Sequence, residues 1–299
     1  MRKPSVFVLG VQKCGTTTIA DLLDLQPEIF VPAIKETYFF CDDSIFALGV
    51  SHWLKDHYQR SDADLLCDAT PFHLASEEAL RRIAEFVDDD TRFIVALRDP
   101  VARAYSAYWH QCRNGNETLG FEDALEQETD RIAVSRAKNG RWWRHAYVEV
   151  GRYDEQLDRA FDLLGRDRFL IVSEPDLRDL TAMQAKLRAH LGLLARAEVP
   201  DLARSNQAGM PRSRLLHSLI IKDNPVKRIV QKAVPRQLRT RVGRSLIAGN
   251  LKRASNPPMS AETQRRLYAD FAQNIERLAA MNVCDVSHWQ ARQTENLGV

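Results

Sequence analysis

Residues 5–26 read SVFVLGVQKCGTTTIADLLDLQ, and the fold follows from this stretch. Residues 5–9 are β-branched and aromatic-rich, as a buried strand is, and the run stops at Gly10. A loop follows, Gly10-Val11-Gln12-Lys13-Cys14-Gly15-Thr16-Thr17-Thr18. Residues 19–26 then place apolar side chains at helical spacing until Pro27 breaks the pattern. Strand, glycine loop, helix is an order in which backbone N–H groups and a helix N-terminus converge on an anion. Lys13 adds a full positive charge and the threonines add hydroxyl donors. The Gly10…Gly15 spacing matches the phosphate loop G-x-x-x-x-G-K-[ST], yet position 16 is Thr and the lysine sits inside the loop at 13. The cation has moved earlier in the loop, toward a shorter anion.

Outward from this loop, residues 65–67, 92–97 and 168–172 read as further strands. Residues 75–87, 101–112, 121–137, 147–164, 180–191, 211–221, 226–247 and 261–281 read as helices. Short apolar strands alternating with longer helices predict an α/β fold, a three-layer, P-loop-like arrangement with a central parallel β-sheet flanked by helices. There is no internal repeat or low-complexity linker. The expected organisation is one domain over 1–299, with an anion-binding core at 5–110 and a helical C-terminal elaboration whose segment 205–255 is basic; residues 250–260 are its best loop candidate.

A second motif is Ala96-Leu97-Arg98-Asp99-Pro100, followed by Ser106 eight residues after Arg98. Arg98 ends a strand, at the edge where open parallel sheets bind ligands. Pro100 suits a first helical turn, and Ser106 falls about two turns into that helix. If the helix faces the glycine loop, Arg98 and Ser106 grip a second phosphate; alternatively, Arg98 pairs with Asp99 or another acid.

The 299 residues are 44% hydrophobic and 27% charged, which excludes disorder and fibrous classes. No apolar run approaches the ~18–20 residues of a membrane span, and residues 6–11 are too short for a signal core. The five cysteines, Cys14, Cys41, Cys67, Cys112 and Cys284, are scattered without a CxxC pair, which suggests reduced thiols and a cytoplasmic protein. No metal-binding motif is present, and no metal is expected. Net charge is +2, but residues 212–253 carry twelve Lys/Arg against Asp223 alone. That run is either a solvated helical face or a surface for phosphate, sulfate or anionic lipid, as in peripheral contact with a membrane. A nucleic-acid partner is not expected, and oligomeric state is not legible.

From the residues alone, an ATP-dependent phosphotransferase and a non-catalytic nucleotide or polyanion binder stay open beside a group-transfer enzyme. Against the phosphotransferase stand the absent lysine after Gly15 and the lack of a clear Mg²⁺-holding acid. The aromatics Trp109, Trp142, Trp143 and Tyr147 serve either as core or as a stacking surface for a sugar.

The two motifs, in this order, resemble the PAPS-dependent sulfotransferases (PAPS is 3′-phosphoadenosine 5′-phosphosulfate), bacterial members and the heparan sulfate glucosaminyl branch above all. GVQKCGTTTIADLLDLQPEIFVPAIKETYFF resembles that branch's 5′-phosphosulfate loop with its following segment, and FIVALRDPVARAYSAYWH resembles its 3′-phosphate segment. The Asp68-Ala69-Thr70-Pro71 stretch also fits. The resemblance is dense over 5–110 and thinner up to Trp289. It implies PAPS as donor, PAP (the 3′,5′-bisphosphate) as product, and a hydroxyl acceptor on a carbohydrate or glycolipid. It implies that Lys13 touches the 5′-phosphate and bridging oxygen, with Cys14, Gly15, Thr16, Thr17 and Thr18 around it, and that Arg98 and Ser106 hold the 3′-phosphate. Glu36, in Lys35-Glu36-Thr37-Tyr38-Phe39-Phe40, falls where the branch keeps its catalytic glutamate. Lys252 and Arg253 fall where it has a basic loop over the donor. Asp68 and His73 are acceptor-side candidates, His73 as a second choice of base. One departure is Ala69, where the branch often has lysine before Thr-Pro; this bears on the acceptor more than on the chemistry.

Overall fold

A computed structural model describes residues 2–59, 62–138, 140–195, 210–211, 251–252 and 256–298. Its core is a five-stranded sheet of β1 (Val6–Gly10), β2 (Ile29–Phe30), β3 (Leu65–Asp68), β4 (Arg92–Leu97) and β5 (Phe169–Ser173). The order is β2-β3-β1-β4-β5 and every pairing is parallel. β1 is buried throughout and β4 from its second residue on, as near-continuous apolar strands covered on both faces must be. The expected α/β architecture is therefore the observed one.

The helices are α1 (Thr16–Asp24), α2 (Asp43–Phe46), α3 (Val50–Tyr58), α4 (Glu77–Phe86), α5 (Pro100–Arg113), α6 (Phe121–Glu126), α7 (Glu128–Ala137), α8 (Tyr153–Leu164), α9 (Leu180–His190), α10 (Ala261–Met281) and α11 (Ser287–Leu297). α1 packs with α9, α4 with α8, and α10 against α5, α8 and α11. Met210–Pro211 and Leu251–Lys252 form a separate antiparallel pair. Among the described residues no helix is long and apolar enough to cross a membrane.

This strand order positions the site. From β1 the chain moves outward to β2 and returns through β3; from β4 it moves the other way to β5. The C-terminal ends of β1 and β4 therefore flank the point where the connections diverge, which leaves a crevice uncovered by helices.

Several boundaries differ from the expectation. The 121–137 helix is broken at Gln127, which ends α6 and starts α7. Residues 147–152 are not α-helical: Glu149–Gly151 form a short 3-10 turn before α8, and the buried Glu128 carboxylate accepts the N–H groups of Tyr147, Val148 and Glu149 at 2.8–2.9 Å. β2 and α2 span two and four residues, too short for any periodicity to reveal. α3 and α11 also go beyond the expected elements. The expected helices at 211–221 and 226–247, and nearly all of the basic segment 212–253, lie outside the described residues.

Candidate active site

Between Gly10 and α1 the backbone changes hand twice. Lys13 has φ 72° and Gly15 φ 98°, with Cys14 between them outside the positive-φ set. Such alternation turns successive N–H groups into an anion-binding concavity. No side chain caps α1 and no acid stands in its first turn, so the donors of Thr16, Thr17 and Thr18 keep the partial positive charge of the helix end for a ligand. Gly15 is required by its backbone. Its φ is left-handed, and a Cβ there would also push the end of the Leu177 side chain aside. Gly15→Ala is expected to cost about 1–2 kcal/mol from handedness alone, read as a lower thermal midpoint together with weakened anion binding.

At the neighbouring strand end, Asp99 shapes the second motif. Its Oδ1 accepts the N–H groups of Val101 and Ala102, capping α5 behind Pro100. Its Oδ2 accepts from Tyr268 (2.7 Å) and Arg292 (3.1 Å), which arrive from α10 and α11. Asp99 is thus committed to the C-terminal helices. Arg98 instead faces Glu174, Nε to Oε2 at 3.5 Å, with its side chain partly exposed. One buried tyrosine ties the two motifs together: Tyr153 of α8 donates to the Arg98 carbonyl at 2.9 Å, and its oxygen lies 3.7 Å from Cys14 Sγ.

Lys13, Thr16, Thr17, Thr18, Glu36, Arg98 and Ser106 all line one cleft of about 620 Å³. The lining also includes Tyr38, Phe72, Arg141, Trp143 and Arg144, with His110 and Arg113 from α5 and Asn114 from its C-terminal cap. Glu36 is the single carboxylate among the described lining residues, against Lys13 and four arginines. Burial holds the Lys13 ammonium below the ordinary lysine range, and the charges of Arg113 and Arg98 push the same way. Burial, then Lys13 and Arg113, push the His110 imidazole down to about 4, so it is neutral at pH 7. The charges of Lys13, Arg98 and Arg113 thus repel one another within the cleft, the electrostatics of a site that receives anions.

Glu36 follows Lys35, whose ammonium donates to Thr17 Oγ1 (3.0 Å) and lies 3.6 Å from Glu36 Oε1. The other carboxylate oxygen accepts the Tyr38 hydroxyl at 2.7 Å. Beneath this segment is a buried polar lattice. Asp68 accepts from Thr37 Oγ1 (2.5 Å) and the Thr70 N–H (3.1 Å), and Thr70 Oγ1 accepts from the N–H groups of Thr37 and Tyr38.

The structure corrects three of the candidates drawn from the sequence. Asp68 and His73 are both fully buried and bonded to each other, Nε2 to Oδ1 at 3.0 Å. Neither lines the cleft, so neither meets an acceptor; Asp68 orders the Glu36 segment from below. Cys14 is buried too, its N–H donates to the Val11 carbonyl and its thiol faces Tyr153, so it turns away from any donor. Of the remaining candidates, Lys252 lies in the two-residue strand paired with Met210–Pro211, and Arg253 lies outside the described residues. The aromatics divide: Trp143 reaches the cleft, Tyr147 is core with its hydroxyl on Glu117 at 2.7 Å, and the Trp142 ring carries the Arg136 guanidinium at 4.2 Å.

Sequence reasoning passed over His110 and Arg113. The signal was there: they follow Ser106 by four and seven residues, the spacing of one helix face. Arg141 carried no comparable signal, because it reaches the cleft only by packing; of the aromatics read as core or stacking surface, Trp143, in a short 3-10 turn over 142–145, is the one that lines it.

The sulfotransferase domain family model matches residues 3–157, and the chain belongs to that family. Among its relatives is human heparan sulfate glucosamine 3-O-sulfotransferase 6, 33% identical over 196 residues, covering 64% of this chain and 53% of that protein. Another is the Dictyostelium discoideum membrane-associated sulfotransferase kil1, 30% identical over 140 residues, 43% of this chain and 29% of that one. The chain spans about half the length of the heparan sulfate relative. In fold it is similar to a sulfotransferase from Alicyclobacillus acidocaldarius, with TM-score 0.67 and 21% identity, covering 97% of this chain and all of that one.

Proposed function

We propose that this protein transfers the sulfuryl group of PAPS to a hydroxyl on a carbohydrate or glycolipid. The observation that carries this reading is that Lys13 and Arg98, from the ends of adjacent central strands, line one cleft. A donor bearing phosphates at its 3′ and 5′ ends needs two separate anion grips. The loop with Lys13 and the α1 N-terminus supplies one, Arg98 with Ser106 the other. A 3′-phosphate bound there would compete with Glu174, whose Oε2 lies 3.5 Å from Arg98 Nε.

The acceptor lies on the Glu36 side, against Tyr38, Phe72 and Trp143, whose apolar faces suit the C–H face of a sugar ring. The acceptor oxygen forms a bond to sulfur as the bond from sulfur to the bridging phosphate oxygen breaks. The electron pair leaves on that oxygen, and the acceptor proton passes to the Glu36 carboxylate. Lys13 and the first-turn N–H groups stabilise the charge that develops on the leaving phosphate. This is the reading's catalytic pair, Lys13 and Glu36.

The test is a screen of hydroxylated acceptors at saturating PAPS, with mass detection of one added SO₃ and an ATP–Mg²⁺ arm in parallel. Sulfated product is expected. Phosphoryl transfer in the ATP arm, or tight PAP binding with no transfer to any acceptor or to water, would reject the reading. Arg98→Ala is expected to weaken PAP binding by about 10–150-fold, the worth of one charge-assisted hydrogen bond. Adenosine 5′-phosphosulfate, which lacks the 3′-phosphate, should bind equally to both proteins. Unchanged PAP affinity in calorimetry would remove Arg98 from the donor site.

A further inference from the structure

We propose that Tyr38 is a positioning residue for the Glu36 carboxylate, its hydroxyl fixing one oxygen and leaving the other to take the acceptor proton. This rests on the reading of Glu36 as the base and deepens it. Two backbone donors pin the segment, since the N–H groups of Thr37 (3.0 Å) and Tyr38 (3.3 Å) share Thr70 Oγ1. Tyr38 itself sits at φ 56°, a left-handed conformation that side chains beyond Gly, Asn and Asp seldom adopt. The consequence of that turn is visible two residues back along the chain: the phenol hydroxyl donates to Glu36 Oε2 at 2.7 Å.

The ring is held as firmly as the backbone. It stacks near Phe72 (centroids 6.0 Å apart) and Trp143 (6.2 Å, interplanar angle 7°). The Arg141 guanidinium lies 4.3 Å from its centroid and is itself anchored to Asp42 at 2.9 Å. Burial, and then the Glu36 charge, push the phenol well above the ordinary tyrosine range, so it stays a protonated donor. The two Glu36 oxygens are therefore unequal. Oε2 has a close, rigid donor. Oε1 instead faces the Lys35 ammonium at 3.6 Å, an ion pair beyond hydrogen-bond distance, while one N–H of that ammonium goes to Thr17. A base fixed at one oxygen presents the other in a narrow range of directions, which is what proton transfer in line with displacement requires.

Tyr38→Phe deletes the hydroxyl and keeps the stacked ring. PAP release from PAPS, measured with water as the only acceptor and with the acceptor that the screen ranks first, is expected to fall by about tenfold or more in kcat. Acceptor KM and PAP affinity should stay within about twofold, since neither the donor loop nor the aromatic wall changes. In a Glu36→Gln background the same substitution should change turnover by less than about twofold, because its effect passes through Glu36. Unchanged kcat in Tyr38→Phe beside an impaired Glu36→Gln overturns the role of Tyr38 and leaves Glu36 standing. An equal loss in both backgrounds also overturns it, as a structural contribution. Full turnover in Glu36→Gln overturns the base, and the Tyr38 role with it.

Discussion

A Glu36→Gln protein is expected to lose about 10²–10⁴-fold in turnover, the usual contribution of a positioned general base, while binding PAP as the parent does. The separation follows from geometry. Glu36 lines the same cleft as Lys13 and Arg98, but it is a carboxylate among cations, and an anionic donor gains nothing by contacting it. Glutamine keeps the shape and can still accept from Tyr38, so the 35–39 segment, fixed by Asp68 and Thr70, should hold its place. The loss should therefore appear in kcat, with calorimetric PAP affinity within about twofold. Rapid turnover in this variant would move the base elsewhere. It would not move to His73, which is fully buried against Asp68.

Removal of Lys13 should act on the donor instead. Lys13→Ala is expected to weaken PAP binding by about 10–150-fold and to lower turnover further, because charge grows on the leaving phosphate in the transition state. The pH dependence gives a second readout. The Lys13 ammonium is held below the ordinary 10.5 of lysine, first by burial and then by Arg113 and Arg98. A bound anion favours the protonated form. Affinity in the parent protein should thus be full at neutral pH and decline as pH rises through that lowered value, earlier than an ordinary lysine would titrate. Lys13→Ala should lack this alkaline decline. Its persistence in the variant would assign the titration to another group, and unchanged affinity would remove Lys13 from the donor site.

Much of this site is legible in the chain because it is local. A phosphate loop needs a strand, a turn that tolerates left-handed backbone and a helix start, and all three fall within residues 5–26. Arg98 was legible for the same reason, since a strand, Asp99 as cap and Pro100 in the first turn are neighbours in sequence. Asp68 and His73 show where such reading fails. Their residue types suit chemistry at a surface, and only the packing of β3 under the Glu36 segment reveals that their polar atoms are spent on each other and on Thr37 and Thr70. Nor did the helical pattern of 147–164 predict that Glu128, about twenty positions away, would take the N–H groups of its first residues.

What the sequence alone determined is the parallel sheet, the strand–glycine loop–helix unit carrying Lys13 and the strand-end arginine at 98, because each is set by apolar patterning and turn chemistry over a few consecutive residues. The tertiary structure decided that β1 and β4 are neighbours, so that Lys13 and Arg98 line one cleft. It also decided that Tyr38, Arg141 and Trp143 close over Glu36. Those outcomes depend on strand order and on contacts between residues up to about a hundred positions apart, and no local preference of the chain encodes them.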